Sequence, residues 1–191
     1  MPEKETGMIE SVKNGIVTAI KGTGDVAQAT VDTVTKTLGT TVKDAGKTGA
    51  SVADATATVA KGVIDGATSV GAHLGHAAKG TVIGVLRVTK HTGAQAIDTI
   101  GHTARVLIHS TAEAGGDVGH AATGAVEGAI SAAKEVGVSA EDAASAATHG
   151  ALHAADKIGS TALKTVRNAM TGTISGIKVV LKAPFDKDRS T

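Results

Sequence analysis

The chain has 191 residues, with 19 Lys and Arg against 18 Asp and Glu for a formal net charge of +1, and it contains 25 glycines, one Phe and no Cys, Trp or Tyr. The lack of cysteine excludes a disulfide scaffold or a zinc finger. Near-neutral charge without aromatic stacking platforms argues against nucleic acid as a partner.

Residues 1–8 read as a polar N-terminal tail. From there an 11-residue period begins, and 11 residues make close to three α-helical turns. One apolar column holds Ile9, Ile20, Val31, Val42, Ile64, Leu86, Ile97, Ile108, Ile130, Leu152, Leu163, Ile174 and Phe185, spoiled only by Gly75, Gly119 and Glu141. The column from Val12 runs through Val34, Ala67, Ile100, Ala122, Ala144 and Val166, with occasional threonines. The column that starts at Glu10 holds Lys21, Asp32, Lys43, Asp54 and Asp65 and admits no apolar residue. At about 98° per residue the uncharged columns cover an arc of roughly 130°, with the charged column outside it. This pattern predicts an all-α protein of long amphipathic helices over residues 9–182. Strand alternation survives only in short pieces such as Ile177–Lys182.

Turns are expected at Gly22–Asp25, Thr37–Thr41, Gly75–Gly80, Gly115–Gly119 and Val136–Asp142, where the lattice is weakest. They would break the chain into helical hairpins or a loose bundle, unless the free protein stays disordered until a surface covers its apolar face. Glycine costs a helix about 0.8 to 1 kcal/mol against alanine, and isolated marginal helices unfold in water. Glycine also recurs every 22 residues at Gly49, Gly71, Gly93, Gly115, Gly137 and Gly159. These are expected to be helix-packing glycines, as are the small-xxx-small pairs Gly71/Gly75, Gly80/Gly84, Gly124/Gly128 and Gly172/Gly176.

Charge is arranged in blocks. Residues 111–156 carry one basic and seven acidic side chains, a net −6, and residues 157–191 carry seven basic and two acidic, a net +5. Two uses of these blocks are open: an acidic segment pairing with a basic neighbour inside the chain, or a basic end attracted to anionic lipid. In the second, Lys157, Lys164, Arg167, Lys178 and Lys182 form a basic surface anchor within residues 157–182, the apolar column is a lipid-facing stripe, and residues 183–191 are a C-terminal tail.

All eight histidines lie between residues 73 and 153 on the polar side of the lattice, where mild acid would add positive charge. His149 and His153 are spaced i, i+4 with Asp156 nearby, a spacing that suits a metal on one helix face, yet no recognised metal signature surrounds them. Gly22-Thr-Gly24-Asp-Val-Ala27 imitates a dinucleotide-binding turn, but no βαβ pattern follows. No nucleophile elbow or paired-carboxylate pocket stands out, so the chain reads as a non-enzyme with no cofactor, no metal and no small-molecule substrate. No secretory signal or membrane-spanning stretch is evident, which makes a cytoplasmic, peripherally associated protein the expectation.

The Val/Thr/Ala/Gly-rich 11-mers, as in the segment Gly46 to Lys61, resemble the repeats of synucleins, perilipins and exchangeable apolipoproteins. The resemblance implies a non-enzymatic coat that folds as it binds a lipid, membrane or storage-granule surface, as in bacterial phasin-like granule coats. A second resemblance, to late embryogenesis abundant proteins, implies a protectant against drying or stress. A third reading is a structural bundle or filament that assembles with itself as a homo-oligomer through its glycine-notched stripes.

Overall fold

The computed structural model describes residues 2–48, 51–91 and 93–179, which fold into eight α-helices and a short β-hairpin. The helices are α1 (Pro2–Thr23), α2 (Val26–Thr48), α3 (Val52–Ser69), α4 (Leu74–Thr89), α5 (Gly93–Glu113), α6 (Val118–Ala133), α7 (Ala140–Ile158) and α8 (Ser160–Ala169). A 3₁₀ turn, Lys134–Val136, extends α6, and strands β1 (Gly172–Ile174) and β2 (Ile177–Val179) pair antiparallel. Ser175 and Gly176, both at positive φ, form the two-residue turn between the strands.

Helix starts are written in short polar side chains. Ser51 accepts a hydrogen bond from the Asp54 amide, and Ser139 one from the Asp142 amide. Asp117 accepts from Gly119 and His120, and Asp25 from the Gln28 amide. Each side chain satisfies amides that the first helical turn leaves unpaired.

The helices form two layers. In one, α1 packs on α3, α3 on α5 and α5 on α7, while in the other α2 packs on α4, α4 on α6 and α6 on α8. Consecutive helices pack across the two layers. Helices within a layer run parallel, because Gly62 of α3 lies over Val12 of α1 while Gly66, one turn on, lies over Ile16.

The face turned inward centres on the Val12 column. Val12, Val34, Ala67, Ala78, Ile100, Ala122, Ala133, Ala144, Ala155 and Val166 are all 2% exposed or less. Core threonines avoid stranding their hydroxyls by donating back one turn, as Thr56 does to the Val52 carbonyl, Thr81 to Ala77 and Thr103 to Thr99. Thr111, fully buried in the same column, has no partner for its Oγ1.

Several boundaries differ from those expected. Residues 2–8 belong to α1 rather than to a polar tail. Thr37–Thr41 lies inside α2, where Thr40 and Thr41 donate back to Lys36 and Thr37 and so stay compatible with the helix. Gly75–Gly80 lies inside α4, and the turn comes earlier, at Gly71. The helical region stops at Ala169 and not near residue 182, because Gly172 at positive φ opens the hairpin. The turns near Gly24, Gly115 and Gly137 fall where the lattice weakens. The expected tail at 183–191, Phe185 included, lies outside the described residues. No helix among the described residues is long and apolar enough to cross a membrane.

Candidate functional site

The apolar column from Ile9 is turned toward the fold. Val31, Ile64, Leu86, Ile108 and Ile174 are buried, and Ile9, Ile20, Val42, Ile97, Ile130, Leu152 and Leu163 are half-buried. None of these side chains is freely exposed.

The glycines divide into two groups. Gly71, Gly93, Gly115, Gly137 and Gly159 do not pack helices together: each has a positive φ and open space where a side chain would begin. They end or join helices. At Gly115 its amide bonds the Ala112 carbonyl and the Gly116 amide bonds Thr111, the paired closure that needs a left-handed residue. Gly49, the remaining member of that series, lies outside the described residues. The signal for the turn role was present in sequence, since Asp117 and Ser139 follow Gly115 and Gly137 at two residues and cap the next helix.

Close helix contacts use other glycines. A methyl group at Gly62 would lie 2.7 Å from Val12 Cβ, one at Gly84 2.8 Å from Val34 Cγ1, and one at Gly128 2.6 Å from the Lys79 carbonyl oxygen. At Gly124 it would run into the Gly75 carbonyl, at Gly150 into that of Gly101, and at Gly80 into that of Ala27. Every one of these contacts joins helices of the same layer. Gly80/Gly84 and Gly124/Gly128 thus pack as their spacing suggested, and Gly62/Gly66 is a further pair of the same kind. Gly172 and Gly176 instead shape the hairpin.

Ion pairs also bridge helices of the same layer. Lys61 of α3 meets Glu113 of α5 at 2.9 Å, Lys79 of α4 meets Glu127 of α6 at 3.5 Å, and Arg87 meets Glu135 at 3.0 Å through two hydrogen bonds. The hydrogen bond from Lys61 holds the Glu113 carboxyl below its ordinary range, and that from Arg87 does the same for Glu135. The Arg87 guanidinium is raised in turn by its bond to Glu135. Three acidic groups of residues 111–156 are therefore paired inside the chain.

The basic end is different. Lys157, Lys164, Arg167 and Lys178 are exposed and make no ion pair among the described residues, while Lys182 lies outside them. Lys164 and Arg167 share one face of α8, which buries only Val166 completely. Ile158, at the junction of α7 and α8, is 38% exposed, the one large apolar side chain exposed to that degree among the described residues.

Histidines gather in two places. The rings of His73, His76 and His120 lie 4.7 and 5.1 Å apart where α4 and α6 begin, with Asp117 3.2 Å from His120. His102, His149 and His153 line a groove of about 440 Å³ between α5 and α7, together with Asp98 and Arg105. His91 and His102 are half-buried, whereas the other six are exposed as the lattice implies. No set of three or more His, Asp or Glu side chains among the described residues is arranged to hold a metal ion, His149, His153 and Asp156 included. The Gly22 to Ala27 segment is the turn from α1 to α2, with Gly24 at positive φ and Asp25 as a cap, and no strand precedes it.

No protein-family model matches the chain, and no curated protein is similar to it in sequence.

Proposed function

We propose that this protein is a non-enzymatic helical array that attaches to an anionic lipid, membrane or storage-granule surface through its basic C-terminal end. The observation that carries this reading is the exposed apolar side chain Ile158 in a segment whose exposed cations, Lys157, Lys164, Arg167 and Lys178, make no ion pair among the described residues. An exposed apolar side chain within a cationic segment is the pairing that interfacial attachment uses. From Gly71 to Gly159 each 22-residue interval holds one helix and its glycine turn, and in this reading the stripe holds neighbouring helices together instead of inserting into lipid. The glycine contacts support a packed working state, because a helix lying singly on lipid has no use for notches shaped to another backbone. The protectant reading has no feature of the fold in its favour.

The test is flotation of the full chain with vesicles of phosphatidylcholine and phosphatidylglycerol, beside the triple variant Ile158→Ser, Lys164→Gln, Arg167→Gln. Loss of flotation with unchanged far-ultraviolet circular dichroism is expected. Equal flotation of both proteins, or a large gain of helix on binding, would return the contact to the stripe. The self-assembling bundle is the second reading, although the glycine notches described are already filled within one chain. It predicts a concentration-dependent oligomer in sedimentation without any surface.

A further inference from the structure

Parallel packing of α4 on α6 imposes a register on surface charge. Lys79 pairs with Glu127 and Arg87 with Glu135, and in both cases the carboxylate lies 48 residues after the cation. Gly75 and Gly124 meet at an offset of 49 between the same helices, and Gly101 and Gly150 repeat that offset between α5 and α7. The one Lys or Arg of α5 is Arg105. Its place 48 residues on is His153 of α7, not a glutamate, and both line the same groove.

The consequence is a cationic position whose expected carboxylate is missing. Arg105 is exposed and forms no ion pair among the described residues. His149 and His153 stand across from it on α7, one helical turn apart. His102 lies one turn before Arg105, and its Nε2 is shielded from solvent without a hydrogen-bond partner. Because both helices carry glycine at their closest approach, no side chain fills the groove floor at Gly101 and Gly150. Asp98 is the one carboxylate in the lining and sits seven residues before Arg105, about 10 Å along the helix. The groove thus has a cationic end, with an arginine fork and imidazole donors that suit a tetrahedral oxyanion. By contrast, the hollow of about 270 Å³ beside Arg87 already holds its own carboxylate, Glu135.

We propose that the α5–α7 groove binds a phosphate-class oxyanion at Arg105 and His153, with His149 and His102 as further donors. The site lies one helical turn before Lys157 on α7, and its test with free phosphate does not depend on surface attachment.

The experiment is a titration of the full chain with inorganic phosphate, followed by amide and imidazole nuclear magnetic resonance. A parallel arm uses vesicles containing phosphatidic acid. Saturable shifts at His102, Arg105, His149 and His153 are expected in the millimolar range or tighter. His153→Glu restores the carboxylate of the other registers and should weaken binding by about tenfold or more, and Arg105→Gln should do likewise. Thermal melts confirm that both variants fold. Shifts produced by free phosphate identify the anion itself as sufficient, and shifts produced only by the vesicles place it on a lipid headgroup. Absence of shifts in both arms, or undiminished binding by folded His153→Glu, overturns the proposal.

Discussion

The two ends of the array are held together by different materials. Around α1 to α4 the core is Val12, Ile16, Val34, Leu38, Val59, Val63 and Val85, side chains with substantial apolar volume. In α6 and α7 the buried positions are mostly alanine, among them Ala121, Ala122, Ala125, Ala129, Ala143, Ala147, Ala151 and Ala154. Valine and threonine are weak helix formers that compensate by burial, at about 25 cal/mol for each Å² of apolar surface. Alanine buries little but favours the helix and, beside glycine, lets backbones meet. One end depends on filling space, the other on keeping space clear.

Opposite substitutions should therefore injure the two ends. Leu38→Ala empties a fully buried site in α2 and is expected to cost about 2–5 kcal/mol. Native-state hydrogen exchange should locate the loss in α1 to α4, since stacked helical units open locally. Uniform loss across all helices would mean that the two ends are one cooperative unit.

Gly124→Ala adds a single methyl group where the Gly75 carbonyl already sits, and overpacking of this kind costs about 1–3 kcal/mol. Its counterpart is Gly39→Ala in α2, which has open space around it and should gain about 0.8–1 kcal/mol from helix propensity. Urea denaturation of both variants decides the matter. The same sign for both would remove the distinction between notch and spacer.

Thr111→Val replaces a buried hydroxyl that has no partner, so it should be neutral or stabilise by about 1 kcal/mol, unlike Thr81→Val, which removes a satisfied bond. A destabilised Thr111→Val in a thermal melt would show that the hydroxyl is bonded in solution.

The smallest effect is in pH. Glu113 and Glu135 titrate lower in the fold than in the unfolded chain, so their pairs contribute fully above the ordinary glutamate value of about 4.3. That contribution fades as the pH falls through the folded values. Both pairs are exposed to solvent, so each should contribute about 1 kcal/mol or less and weaken further in salt. The double variant Lys61→Gln, Arg87→Gln should flatten this part of the stability profile, and an unchanged acid limb would exclude the pairs as its source.

Much of the helix geometry was legible in the sequence, because an 11-residue period fixes which side chains share a face whatever covers that face. The Ile9 column lay on the correct side, although the centre of burial is the Val12 column. What covered the face was not legible: alanine and valine pack on lipid, on a polymer or on a neighbouring helix by the same physics. The glycines show a second limit. Spacing alone does not separate a residue needed for its positive φ, such as Gly137, from one needed for its missing Cβ, such as Gly128. The serine or aspartate two residues later is the local sign of a turn. The groove between α5 and α7 lay further out of reach, because Arg105 and His153 become neighbours only through the offset between parallel helices.

In both layers the principal contacts join a helix to those one or two places away in the chain. A newly made segment would thus find its partners soon after it emerges, without waiting for a distant strand or helix to close the structure. Local connectivity of this kind favours rapid folding, which for helical proteins falls in the microsecond to millisecond range. It also lets α1 to α4 assemble while the alanine-rich helices are still being synthesised.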